Sequence, residues 1–166
     1  MITAEELIRK LNLIPHPEGG YYRETYRCPE ILPRTALDER YSAARATGTA
    51  IYYLLTVDTC SRLHRLQSDE IYHFYLGDPV TMLHLYPDGT ARELVIGLNI
   101  ASGELPQVVI PRGIWQGSFV RPGGRFALLG ATVAPGFDFA DYEAGERANL
   151  LRQYPAQKEL VLRLTP

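Results

Sequence analysis

Only two cysteines occur among the 166 residues, Cys28 and Cys60. Two thiols make neither a disulfide framework nor a cysteine-rich zinc site, and their use fits a reducing cytoplasm. Long hydrophobic runs are lacking too. Uncharged apolar stretches such as AIYYLLTV at 50–57 are far too short to span a bilayer as a helix. The net charge of −2 supplies no global field for nucleic acid or an anionic membrane surface. The opening MITAEELIRKLNL is amphipathic and carries acids, which suits neither a secretory nor a transit peptide. Internal repeats, coiled-coil heptads and low-complexity tracts are absent. What remains is the profile of a soluble globular protein, with 46% hydrophobic and 22% charged residues. The length suits one domain, 1–166, with a single sizeable core. Tyrosine is plentiful, and many of the 11 lie in strand-like runs, where aromatic residues fit a pleated sheet.

Thr3-Ala4-Glu5-Glu6 is a capping-box pattern before the stripe Leu7, Ile8 and Leu11, which predicts a short opening helix that stops before Pro15. HPEGGYYRETYR reads as a Gly-Gly turn feeding a strand near Tyr21–Tyr26. Residues 29–48 read as a long polar loop. From residue 49 onward, short strand-like runs alternate with turn signals such as GDP, PDG, PRG and RPGG. That texture indicates a sandwich or barrel. Phe139 to Tyr154 reads as helical up to Pro155, and ELVLRL at 159–164 as a last strand or short helix.

The stretch HRLQSDEIYHFYLG at 64–77 carries the chemistry. On strand geometry, side chains alternate between faces. His64 and Leu66 then share a face, as do Glu70, Tyr72 and Phe74, while His73 points the other way. A bend at Gln67-Ser68-Asp69 brings His64 towards Glu70.

These residues resemble the cupin superfamily of small jelly-roll barrels. The first cupin motif, G-x5-H-x-H-x3/4-E-x6-G, is matched by His64, Glu70 and Gly77, with Leu66 at its second histidine and Asp58 at its first glycine. The second motif, G-x5-P-x-G-x2-H-x3-N, is matched by Pro111 and Gly113, with Gln116 at the histidine and Val120 at the asparagine. HPEGGYYRETY, SRLHRLQSDEIYHFYLGDP, PRGIWQ and TVAPGFDFADYE look like the fifth cupin-domain family, formerly a domain of unknown function. The resemblance implies an all-β double-stranded β-helix with short N- and C-terminal helices. It also implies a homodimer, and no settled family-wide activity.

Cupin metal sites usually employ three histidines and a glutamate. Here leucine has no lone pair, and an amide is a poor ligand beside imidazole. No cofactor is therefore favoured. The alternative is a weak divalent-metal set of His64, Glu70 and Gln116. A metal-free reading uses the same residues with His64 as base, Glu70 orienting it, and Tyr72 or Tyr53 as acid. This is similar to the RmlC-like deoxysugar epimerases. Leu66, Phe74, Gln116, Tyr53 and Arg62 would contact the ligand. Arg62 is the one basic residue read as sharing His64's face.

Three functions follow: a metal-free isomerase or epimerase acting on a sugar or related polar metabolite, a non-catalytic small-molecule binder, and a metal-dependent cupin such as an oxygenase. Partners are a small molecule and a second copy of the chain, with no nucleic acid or membrane. Outward Ile71, His73 and Tyr75 would form the dimer face, with the strand around Tyr21–Tyr26 adding to it. His84 reads as a sheet residue, His16 as a turn residue, and Trp115 as core or dimer contact. Glu18, Arg23 and Glu24 read as a solvated strand edge, although the density of polar and aromatic groups in HPEGGYYRE also suits a pocket rim.

Overall fold

A computed structural model describes residues 2–166. The capping box forms as the sequence predicts: Glu6 donates its backbone N–H to Thr3 Oγ1 at 3.2 Å, and Thr3 donates its own to Glu6 Oε2 at 3.0 Å. These bonds open helix α1, Ala4–Leu11, which ends at left-handed Asn12. Thirteen strands follow: β1 Ile14–Pro15, β2 Tyr21–Arg27, β3 Ile31–Leu32, β4 Arg45–Ala46, β5 Thr49–Thr56, β6 Cys60–Leu66, β7 Asp69–Gly77, β8 Val80–Leu85, β9 Ala91–Ile96, β10 Gln107–Ile110, β11 Trp115–Val120, β12 Phe126–Ala134 and β13 Tyr142–Ala144. Helices α2, Arg147–Gln153, and α3, Lys158–Arg163, close the chain.

Two antiparallel sheets face each other. One runs β1-β2-β5-β12-β7-β10 and the other β13-β6-β11-β8-β9, with β3 and β4 paired separately. This is the jelly-roll barrel that the strand texture indicates. Between the sheets, Leu55, Met82, Ile96 and Leu129 are fully buried. The outer face of the five-stranded sheet is covered by α2 and α3 through Leu83, Leu85, Leu150 and Val161. Helix α1 covers part of the other sheet through Leu7, Leu54 and Leu128. Trp115 is a core residue in the layer under the C-terminal helices.

Two local readings change, and the alternative left open for ELVLRL is decided. Phe139–Tyr154 is not one helix but a 3-10 turn at Phe139–Asp141, then β13, then α2. Strand β13 pairs with β6, Tyr142 opposite Leu66 and Ala144 opposite His64, so edge pairing overrides helical spacing. ELVLRL is helical, which puts two short helices at the C-terminal end. The 29–48 segment is less irregular than read: it holds β3, β4 and the buried residues Tyr41 and Arg45. Arg45 makes a bidentate pair with Asp141, at 2.7 and 2.6 Å, that fastens this segment to the 139–141 turn. No helix among the described residues is long and apolar enough to cross a membrane.

Candidate functional site

A cavity of about 440 Å³ is walled by residues of both sheets, among them His64 and Leu66 from β6 and Glu70 and Tyr72 from β7. Because β6 and β7 belong to different sheets, the 67–68 corner sets these two pairs across the barrel from one another. Gln116 lies opposite His64 in the β6–β11 register. Its amide nitrogen reaches both walls, donating to His64 Nε2 at 2.8 Å and to Glu70 Oε2 at 2.9 Å.

His64 is oriented by its own strand. Its Nδ1 lies 2.7 Å from the Arg62 carbonyl, which only accepts, so Nδ1 carries a proton. Nε2 is left facing Gln116 and Glu18. The Tyr142 ring stacks on the imidazole with centroids 5.2 Å apart. The sequence reading had Glu70 orient His64. In the structure that role falls to Arg62's carbonyl, Gln116 and Glu18.

For Glu18 the sequence left a solvated strand edge and a pocket rim open, and neither put it beside His64. Far from lying on a solvated edge, it is 7% exposed, with Oε2 3.3 Å from His64 Nε2 and Oε1 accepting from Ser61 at 3.0 Å. The turn that brings it in needs glycine. Gly19 has φ +108°, and a Cβ there would stand 2.1 Å from the Cys60 carbonyl oxygen. Tyr53 donates to the Gly19 carbonyl at 2.7 Å, and the Arg62 N–H to the Glu18 carbonyl at 3.0 Å, which locks the loop onto β5 and β6. His16, expected in a turn, is there and lines the cavity. Its Nδ1 accepts from the Glu18 N–H at 3.2 Å. The signal available in the sequence was the Gly-Gly pair after a glutamate, which marks close backbone approach.

Four residues expected at the ligand are placed elsewhere: Gln116 is buried behind the wall, where it bonds His64 and Glu70 without lining the cavity. Phe74 and Tyr53 belong to the core between the sheets, and neither lines the cavity. Arg62 is exposed. For Arg62 the cause is an irregular register: Gln116 faces His64 but Ser118 faces Ser61, so β6 carries one extra residue opposite Gly117. Such a bulge breaks strict alternation, which puts Ser61 and His64 inside and takes Arg62 out of their phase. His73 faces away from the cavity and bonds Thr132 Oγ1 at 3.1 Å. His84 is buried beside Met82 Sδ, and burial plus Arg92 lowers its pKa to about 4.

Burial drives the electrostatics of the floor. It raises the Glu70 pKa well above the carboxylate range, the charge of Glu18 adds to this, and the Gln116 bond opposes it. Burial, then Glu70 and Glu18, likewise raise Tyr72 far above an ordinary phenol. Tyr142 is pushed up to about 12 by burial and by Glu18. His16 is lowered by burial, so its imidazole is neutral. The environment of the floor thus favours the protonated form of Glu70 and Tyr72, and Glu70 is linked to the imidazole of His64 through the Gln116 amide.

Gln116 couples the two walls. With its N–H groups directed at them, His64 Nε2 and Glu70 Oε2 both act as acceptors, while the amide oxygen is buried without a partner. The reversed amide would accept from a protonated His64 and a protonated Glu70 together. The side chain can therefore follow protonation of both groups by one half-turn.

Among the described residues, no group of three or more His, Cys, Asp or Glu side chains is placed to hold a metal ion. The donor set agrees. Leu66 lines the wall with no lone pair, and Gln116 presents an N–H, which is no ligand, to His64 and Glu70. His64, Glu70 and Gln116 do converge, but they do not fit a tight transition-metal site.

The family model described as Cupin superfamily (DUF985) matches residues 5–145. The chain belongs to the cupin superfamily. It is 32% identical over 148 residues to the uncharacterized protein YML079W of Saccharomyces cerevisiae, a match covering 84% of this chain and 74% of that protein. Among solved structures, a hypothetical protein from Leishmania major is similar at 33% identity and TM-score 0.89, with 99% of each chain covered. Protein SO0799 from Shewanella oneidensis is similar at 37% identity and TM-score 0.88, over 100% of this cupin and 99% of that chain. Oxalate decarboxylase from Bacillus subtilis is similar in fold alone, at 13% identity and TM-score 0.53, over 90% of this chain and 36% of the enzyme.

Proposed function

We propose that this cupin binds a small polar metabolite in its barrel and moves a proton on it without a metal ion, as an isomerase or epimerase of a sugar or related carbonyl compound. One observation carries the reading. His64, its Nδ1 tied to a carbonyl, lines a cavity whose other wall holds the buried carboxyl group of Glu70, its pKa raised by burial. A base and a hydrogen-bond donor held on two walls of one cavity are the arrangement that acid–base catalysis needs.

In this scheme the C–H bond beside the substrate carbonyl breaks and its proton passes to His64 Nε2. The electron pair forms the enol double bond. The carbonyl oxygen takes a proton or hydrogen bond from Glu70, with Tyr72 as second donor. Return of the proton to the other carbon, or to the other face, completes the reaction. Glu18 balances the imidazolium charge. Tyr72 is preferred to Tyr53 because Tyr53 spends its hydroxyl on Gly19.

The test is incubation of the protein in D2O with unphosphorylated ketoses, aldoses and other polar carbonyl metabolites, read by NMR. Wild-type protein is expected to exchange or isomerise a C–H that His64→Ala leaves untouched. Binding without exchange would reduce the cavity to a non-catalytic receptor.

A homodimer accompanies this reading. It is supported by the outer face of the six-stranded sheet, where Tyr75 and Val109 are 46% and 53% exposed beside half-buried Ile71 and His73. Strand β2 sits between β1 and β5 of its own sheet, so it adds no strand to a partner. Light scattering that gives a monomer mass at micromolar concentration would refute the dimer.

A further inference from the structure

The charge on the cavity wall is one-sided. Glu18, Glu24, Glu70 and Asp138 contribute carboxyl groups, against a single guanidinium, Arg27. That guanidinium is already committed: it donates to Glu24 at 3.0 and 2.7 Å and to the Phe137 carbonyl at 3.1 Å. The wall's other basic groups are imidazoles, His16 and His64. No free cation is left to receive a phosphate or a carboxylate.

The floor and the rim differ in kind. At the floor, Glu70 is 7% exposed and accepts from Gln116 through Oε2, so its second carboxyl oxygen is available to a ligand. Glu18 Oε2 lies on the far side of His64 Nε2, at 3.3 Å. At the rim, Phe139 is 53% exposed and stacks at 29° to His16, with Phe137 edge-on against it. An apolar ring or chain suits the rim, and a hydrogen-bonding cation suits the floor.

We propose that the cavity takes a small organic ammonium, an amine-bearing metabolite whose cationic head is held by the cavity-lining carboxyl groups of Glu18 and Glu70 and whose apolar part lies against His16 and Phe139. This rests on the reading of the barrel cavity as a small-molecule site and names the class of substrate. Phosphorylated, nucleotide-linked and carboxylate ligands are excluded by the same charges. An ammonium beside Glu70 favours its ionised form, which leaves Tyr72 as the donor to a substrate carbonyl.

The experiment uses the full chain and three probes with one ring and different heads: benzylamine, benzyl alcohol and benzoate, titrated calorimetrically. Benzylamine is expected to bind at least about tenfold more tightly than benzyl alcohol, since a unit charge near two carboxyl groups outweighs a hydroxyl there. Benzoate is expected to give no heat. Glu18→Gln and Glu70→Gln should each bring benzylamine down towards the alcohol and leave benzyl alcohol within about twofold, whereas Phe139→Ala should weaken both probes alike. Should a floor variant not fold, Asp138→Asn at the exposed rim must still narrow the amine preference. Benzoate binding as tightly as benzylamine would overturn the proposal. So would an amine preference that survives both floor variants, or no amine binding at millimolar concentration. Failure of the proton-transfer reading appears separately, as absent C–H exchange, and amine binding without exchange would keep the ligand class and remove the reaction.

Discussion

Replacing Glu70 by glutamine is expected to stabilise this cupin at neutral pH and to do nothing in acid. Glu70 is 7% exposed, and its one hydrogen bond, from Gln116 at 2.9 Å, would persist to a glutamine oxygen. Burial, with Glu18 nearby, raises its pKa well above the usual carboxylate range. A group whose folded pKa is raised contributes stability that is fully present below the unfolded pKa and is lost as pH rises through the folded one. Above that ordinary range the unfolded chain ionises Glu70 freely while the folded one resists, so the wild type loses stability that the glutamine variant keeps. Burying a polar group that lacks full compensation costs about 1–3 kcal/mol, which sets the expected gain. At roughly 2–4 °C per kcal/mol for a chain of this size, the melting temperature at pH 8 should rise by about 2–12 °C. Thermal denaturation of both proteins from pH 3.5 to 8.5 measures it. The difference should vanish near pH 3.5, where the carboxyl is protonated in both states. A difference of the same size at both ends of the range, or a variant less stable at pH 8, would refute the argument.

Asp141→Asn breaks a bidentate pair whose partners have side-chain exposures of 2% and 5%, leaving Arg45 buried without its counter-charge. A loss of about 3–5 kcal/mol is expected by denaturant titration, and a loss below about 1 kcal/mol would mean that solvent reaches the pair. Gly19→Ala should cost more than about 2 kcal/mol, because its Cβ meets the Cys60 carbonyl at an unfavourable φ. It should also weaken ligand binding by displacing Glu18, and unchanged affinity would sever the turn from the site. As purified, the protein should carry well under one equivalent of transition metal by elemental analysis, with a melting temperature that a chelator leaves alone. Stoichiometric metal bound through His64 would promote the metalloenzyme alternative.

The barrel was legible because its cues are local. Short apolar runs separated by Gly and Pro turns mark strands wherever both neighbours are strands, and Thr3–Glu6 marks a helix start without help from the rest of the chain. Phe139–Tyr154 resisted for the opposite reason. Phe139, Tyr142, Leu150 and Leu151 are spaced like a helical face, yet residues 142–144 add to the free edge of β6. An edge contact made across more than seventy residues leaves no period in the sequence. The same holds for residues 29–48, whose order comes from Arg45 reaching Asp141.

At the candidate site, legibility stopped where one residue was added to one strand. Period-two phase put His64, Leu66, Glu70 and Tyr72 on the barrel interior, and all four line the cavity. The same rule put Arg62 beside His64, and the bulge opposite Gly117 took it away. A bulge changes no composition and no hydropathy, so alternation carried across it fails silently. Glu18 was hidden by its neighbours. Glutamate beside Gly-Gly, ahead of Arg23 and Glu24, has the texture of a solvated turn, and only the approach of that turn to Cys60 and Leu54 shows that it is pressed inward. The consequence is chemical. Without Glu18, His64 and Glu70 form a dyad in which the carboxylate merely holds the ring. With it, His64 stands between two carboxyl groups, one beside Nε2 and one across Gln116, which is the arrangement that the proposed proton transfer draws on.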